Sequence, residues 1–302
     1  MKESQPSLAE FFSQVYVPRR LPLGSTFTLK KHRQTHRNFA AYLGREPLLS
    51  DLTEDTIARF IATFAVGHSA ATISIQRNNL AALASYAYRR GLLAAAPEIP
   101  PIRMPRKVPS TFTLDEIARA VEATGAVSGE SCGVPLSLLF KGLFLVAYDT
   151  GARARSRAMW LLEWRDIRPS IPALLFRAEN QKQRNDQLLR VSWQTAYALE
   201  DIRQPERQFV FPWDRAECQK YAWIKKIMAI AGLPNGRHDL LQKFRRTTAT
   251  MMYRAGGNAT TQLGHASEAV TRRYYLDTSA DLQAADILPR PTIADSRQAL
   301  LF

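Results

Sequence analysis

The sequence is poor in cysteine. Cys132 and Cys218 are its only two, far apart and in no CxxC pattern, which excludes a disulfide framework and a thiolate metal site and suits a reducing compartment. It also lacks any run of about 18 uncharged apolar residues, and its opening MKESQPSLAEFF holds no signal-peptide stretch. A soluble, cytoplasmic protein with no membrane partner is therefore expected. No Walker-type or GxGxxG glycine loop occurs, which argues against a nucleotide-driven motor or a dinucleotide enzyme, and there is no GxSxG serine. His32 and His36 stand four apart without an HExxH glutamate or a third ligand nearby, so they read as a solvated or phosphate-facing pair rather than a metal site. Acidic residues are scattered rather than clustered, which speaks against a two-metal nuclease.

What is abundant is positive charge. Over 302 residues, 41 Lys+Arg face 27 Asp+Glu, a net +14, while 46% hydrophobic residues are enough for ordinary cores. The chain is about twice a typical domain, so two folded bodies are expected. Both are basic: 15 basic and 7 acidic residues precede Val108, net +8, and 26 and 20 follow, net +6. Charge shared by two bodies suits a grip on one polyanion, and only ten of the cations are Lys. An Arg fork matches two phosphate oxygens where an ammonium is a point charge, so nucleic acid is the favoured partner.

The first half reads as a small helical bundle. Ser7-Leu-Ala-Glu10 is a capping-box pattern, and apolar residues recur at helical spacing over Thr28 to Leu43, Thr53 to Phe64 and Ser69 to Arg90, the last stopping at Gly91. PEIPPIRMPRKVP then forbids helix and favours an extended basic linker. The second half opens with the capping box Thr113-Leu-Asp-Glu116 and an apolar helix from Leu136 to Tyr148. Ala173 to Glu179 and Gln187 to Ser192 read as a β-hairpin with Lys182 near its tip. Helical patterns resume over Ala216 to Ala231, Leu240 to Ala255 and Glu268 to Tyr275. The expected fold is mainly α with a small β-hairpin or sheet.

Three segments carry a more specific signal. TGARARSRAMWLLEWRDI (150–167), FRRTTATMMYRAG (244–256) and LGHASEAVTRRY (263–274) resemble, in order and internal spacing, the TGLRISELLALRWSDI, LRRTFATHLLEAG and LGH(x)5TxxY boxes of the tyrosine recombinase (phage integrase) family. The resemblance implies residues 1–107 as a helical core-binding DNA-binding domain that includes the linker 97–107. It implies 108–302 as a mixed α/β catalytic domain with a C-terminal tail.

Breaking a phosphodiester without metal requires a nucleophile that stores the bond energy, cations for the developing charge and an acid for the leaving oxygen. The resemblance assigns these roles. Tyr274, nine residues after His265, is the expected nucleophile, with Tyr275 its direct rival because one step along a helix turns a side chain by about 100°. For the first clamp arginine, TGxR points to Arg153, whereas counting back from Trp164 puts Arg155 in register. Arg155 is preferred because Met159, Trp160 and Leu162 then take the apolar positions, leaving Arg153 to bind neighbouring phosphate. Arg245 is the second clamp arginine, Lys182 the hairpin general acid, and His265 a phosphate ligand that assists proton transfer. Three residues before Arg245 the family has His or Lys, and here stands Gln242, which can donate a hydrogen bond but cannot shuttle a proton. His238, seven before Arg245, would share its face on a continuous helix and also reach phosphate.

The implied activity is site-specific recombination of double-stranded DNA through a 3′-phosphotyrosine and a free 5′ hydroxyl, with no metal or other cofactor. Four protomers would assemble on synapsed DNA, in association with the nucleoid. Two other readings stay open: topoisomerase-like relaxation with the same residue set, and a DNA-binding member of the fold with impaired catalysis.

Overall fold

The computed structural model describes residues 6–21, 26–105, 107–153, 157–204, 206–236 and 239–277. The chain divides into two compact units, Met1–Arg106 and Lys107–Phe302.

In the first unit, Ser7 begins a helical stretch through a reciprocal cap. Its hydroxyl accepts from the Glu10 amide (3.1 Å) and the Glu10 carboxylate accepts from the Ser7 amide (2.9 Å). The stretch runs through Leu8–Glu10, a π-helical Phe11–Tyr16 and Val17–Arg20. Three longer helices follow: α1 (Thr26–Leu43), α2 (Glu54–Ala65, capped by Thr53) and α3 (Ala70–Arg89, capped by Ser69). Their apolar stripes meet in one core built on Leu8, Phe11, Phe39, Ile57, Phe60 and Leu80, with the Phe39 and Phe60 rings edge-to-face at 5.2 Å. Helix α1 keeps Lys30, Arg33 and Arg37 exposed on its other side.

The histidine pair of α1 departs from expectation. His32 is only 6% exposed, stacked on Phe12 at 5.1 Å, and His36 meets the same ring edge-on at 4.9 Å. Position 32 lies on the stripe of Thr35 and Phe39, which points it into the core. Burial, and after it the neighbouring His32, lowers the His36 pKa to about 4, so the ring is neutral at physiological pH.

The second unit begins with helix α4 (Leu114–Glu122) on its Thr113–Glu116 cap. A two-residue ribbon, β1 (Glu130–Ser131) with β2 (Val134–Pro135), leads into α5 (Leu136–Thr150). Helix α5 is apolar nearly all round and is therefore the central buried helix, with Leu139, Phe140, Leu143, Phe144 and Val146 fully buried. An antiparallel sheet, ordered β3 (Ile167–Arg168), β4 (Ala173–Phe176), β5 (Gln187–Arg190), follows. Leu174 pairs with Leu189 and Phe176 with Gln187.

Both long strands are shorter than their sequence patterns. Ala178–Asn180 turns into a 3₁₀ helix whose first amide, on Ala178, donates to the Asp186 carboxylate at 2.6 Å. At the other end Ser192 leaves the strand to cap α6 (Trp193–Glu200), a helix the sequence pattern did not disclose. Then come α7 (Glu217–Ile230), α8 (Leu241–Arg254), α9 (Ala259–Gln262) and α10 (Glu268–Tyr274). Helix α8 packs along α5, with Phe144 and Phe244 rings 5.2 Å apart. It begins at Leu241, next to the Leu240 start of the sequence pattern.

Candidate active site

The site is assembled where the end of α5, the middle of α8 and the α9–α10 connection meet. Helix α5 stops at Gly151, which adopts a left-handed φ of +61°. A Cβ there would lie 2.7 Å from a Leu263 methyl, so the turn requires glycine both for its backbone and for the close approach of α9.

Arg245 projects from α8 into this junction and is 3% exposed. Its Nη1 donates to the Gly151 carbonyl (2.5 Å) and its Nη2 to the Leu263 carbonyl (2.8 Å). The same Nη2 lies 3.0 Å from His265 Nε2, while Nε has no partner among the described residues. Burial, and to a lesser degree the charge of Arg153, lowers the Arg245 pKa to about 10, with Tyr275 opposing the shift. The guanidinium remains a cation at neutral pH.

The His265 tautomer follows from its partners. A guanidinium can only donate, so Nε2 must accept. Nδ1 then carries the proton and donates to Thr271 Oγ1 at 2.9 Å, and that oxygen also accepts from Thr260 Oγ1 at 3.0 Å. The ring is held neutral: burial first, then the charges of Arg245 and Arg153, push its pKa down to about 4. Thr271 was legible in the LGH(x)5TxxY spacing, although its task as orienter emerges only from the contact.

The two tyrosines take different places. Tyr274 ends α10 and is 54% exposed, with the Arg273 guanidinium 5.1 Å from its ring centroid. Tyr275 is 9% exposed, with its ring 4.5 Å from that of His265 and 5.2 Å from the Arg245 guanidinium. Of the rival first arginines, Arg153 exerts its charge on both Arg245 and His265. Arg155 and His238 lie outside the described residues, as does the chain beyond 277. Gln242 sits in the first turn of α8 and is exposed, whereas its neighbour Lys243 is buried with Nζ 4.2 Å from the Phe112 ring centroid.

Lys182 is exposed at the tip of the β4–β5 hairpin. Gln183 Nε2 donates to the Gly264 carbonyl (2.9 Å) and Gln187 Nε2 to the Thr261 carbonyl (3.4 Å). These contacts bring the tip against the loop that carries His265. Among the described residues no three His, Cys, Asp or Glu side chains gather as metal ligands, and no helix is long and apolar enough to cross a membrane.

A buried arginine fork, a neutral histidine at its end and a neighbouring tyrosine pair gather in the second unit, with a lysine-bearing hairpin alongside. Comparison with solved structures gives the fold. The chain superimposes on the Tn1549 transposon integrase in complex with a circular intermediate DNA, with a TM-score of 0.72 at 11% identity over 91% of this chain and 96% of that one. The fold is that of the tyrosine recombinases. XerH site-specific recombinase, bound to palindromic difH substrate in a post-cleavage complex, matches with a TM-score of 0.68 at 17% identity over 88% and 81% of the two chains. A lambda integrase tetramer bound to a Holliday junction matches at 0.66 and 16% identity over 92% and 79%. No protein-family model matches the sequence, and no curated protein matches it. At identities of 11–17%, the likeness to these solved structures is one of fold.

Proposed function

We propose that this protein is a site-specific DNA recombinase that cuts and rejoins duplex DNA through a 3′-phosphotyrosine. The observation that carries the reading is the Arg245 fork, fixed between the Gly151 and Leu263 carbonyls with His265 at its end. A cation held this rigidly stabilises charge developing on a phosphorane without reorganising at the moment of reaction.

The nucleophile is assigned to Tyr274. Its spacing from His265 supports this, and so does its exposure, since a phosphate arriving on a duplex must reach the phenol from solvent. In the first step the phenol oxygen forms a bond to phosphorus while the bond to the 5′ oxygen breaks. The phenol proton passes to solvent, to which Tyr274 is exposed, with His265 assisting the transfer, and Lys182 gives a proton to the leaving 5′ oxygen. The 5′ hydroxyl of a partner strand then reverses the sequence, and because bond energy is conserved the reaction needs no nucleotide or metal cofactor. Arg155 completes the clamp; Arg153, His238 and Gln242 bind neighbouring phosphate. Tyr275, packed on His265 and facing Arg245, supports the clamp from within.

Residues 1–107, with their linker, act as a core-binding domain, and 108–302 as the catalytic domain. Their shared positive charge supplies an affinity that is dominated by phosphate and steeply dependent on salt. Four protomers bring two duplexes together, which separates recombination from relaxation.

The test is covalent trapping. Nicked duplexes spanning the DNA that flanks its own gene should yield a protein–DNA adduct that Tyr274→Phe abolishes and Tyr275→Phe retains at reduced rate. An adduct that survives Tyr274→Phe and disappears with Tyr275→Phe transfers the assignment to Tyr275; no adduct from the unmodified protein overturns the enzymatic reading. Joined products between two duplexes, rather than relaxed circles alone, distinguish a recombinase from a topoisomerase.

A further inference from the structure

The hairpin that carries Lys182 is ordered twice, once from within and once from outside. From within, Gln181 Nε2 donates to both the Phe176 and Asn185 carbonyls, each at 2.9 Å, and Asp186 accepts from the Ala178 amide. Arg184 completes the turn in the left-handed region at φ +54°. The turn of the tip is therefore tied together by hydrogen bonds of its own.

From outside, the hairpin is fastened at two points, one on the histidine loop and one on α9 just before it. Gln183, the residue after Lys182, donates to the carbonyl of Gly264, which immediately precedes His265. Gln187, the first residue of β5, donates to the carbonyl of Thr261 in α9. Gly264 is at φ +63°, and a Cβ there would come within 2.6–2.9 Å of the Gln187 carboxamide atoms. The absence of a side chain at 264 thus makes room for the hairpin to seat, in addition to what the backbone requires.

We propose that Gln183 and Gln187 are positioning residues: a two-point latch that holds the hairpin on the His265 loop and so sets where Lys182 delivers its proton. The inference rests on the reading of Lys182 as general acid. A long, flexible ammonium on an exposed tip transfers a proton efficiently only if its base is fixed to within a fraction of an ångström of the reacting atoms. Both glutamines use neutral amide donors against carbonyls, a bond that is modest in energy and leaves the charge of Lys182 unshared. The latch registers the acid against Arg245 and His265, which belong to other elements of the fold.

The experiment compares two nicked duplexes in the full-length protein, one with the natural scissile phosphodiester and one with sulfur in place of the bridging 5′ oxygen. A thiolate departs without protonation, so the sulfur substrate has no need of the acid. Gln183→Ala/Gln187→Ala should slow cleavage of the oxygen substrate by about ten-fold or more, as a fraction of the 10²–10⁴ that general acid catalysis supplies, and should cleave the sulfur substrate close to the unmodified rate. Lys182→Ala is the reference and should show the same selective rescue, more strongly. Equal slowing of both substrates by the double variant, with Lys182→Ala still rescued, overturns the latch alone, because the glutamines then serve general folding. Oxygen-substrate cleavage that the double variant leaves unchanged overturns it as well. Equal slowing of both substrates by Lys182→Ala overturns the general-acid reading, and the latch with it.

Discussion

Replacing Arg245 should damage stability and chemistry together, and the structure sets the size of each. Arg245→Ala leaves the Gly151 and Leu263 carbonyls without their donor at a place where both residues are buried. An unsatisfied buried acceptor costs about 1–3 kcal/mol, so the pair costs about 2–6. Part of this is offset, because the guanidinium is itself desolvated, as its depressed pKa shows, and its removal relieves that penalty. A net loss of about 2–3 kcal/mol follows, equivalent to a fall in Tm of about 4–12 °C for a body of this size. Arg245→Lys keeps a charge but not a planar fork, so it can serve one carbonyl and should fall between the two. On the chemical side, losing a preorganised donor to a developing anion costs about 10²–10³ in rate. The assays are thermal unfolding by circular dichroism and the rate of adduct formation on a nicked duplex, measured well below the lowered Tm. An Ala variant with unchanged Tm would refute the packing argument, and one with undiminished adduct formation would remove Arg245 from the clamp.

Two further outcomes follow from the same structure. His36 is neutral in the folded state with a pKa near 4 against 6.5 when unfolded; the unfolded chain binds the extra proton, so this stability is full above pH 6.5 and is lost as pH falls towards 4. The loss is about 2 kcal/mol at pH 5 relative to pH 7.5, readable in urea unfolding, and His36→Leu should flatten that part of the profile; an unchanged profile would mean the ring is not buried as a neutral group. Gly151→Ala forces a left-handed alanine against Leu263 and should destabilise by about 1–2 kcal/mol from the backbone alone, with adduct formation falling in step because the Arg245 anchor moves; a Tm within a degree of the parent would contradict it.

Helix positions were legible where one face of a segment is apolar and a cap residue precedes it, as at Ser7, Thr53, Ser69 and Thr113. Helix α6 escaped because its aromatics, Trp193 and Tyr197, are exposed while Thr195 and Ala198 are buried beside Leu199, which weakens the usual contrast between faces. The two-residue strands β1, β2 and β3 are too short to show a period. His32 and His36 misled for a related reason: residue type suggested solvent, and the stripe they share with Phe39 decided otherwise.

Residue order alone carries the local terms: two basic bodies with a proline-rich connection, the capped helices, and three boxes whose resemblance to those of the tyrosine recombinases points to Arg245, His265 and the tyrosine pair. Those are properties of neighbouring residues and of periodicity, so one dimension suffices to read them. The tertiary structure decided what depends on distance between residues far apart in the chain. It set the fork of Arg245 between carbonyls 94 and 18 residues away, and it gave His265 its neutral tautomer through Arg245 and Thr271. It turned Tyr275 inward and left Tyr274 exposed, and it fastened Gln183 to a carbonyl 81 residues on. Hydrogen-bond direction and burial exist only once the chain has closed on itself, and in this molecule they determine how each candidate residue is charged and held.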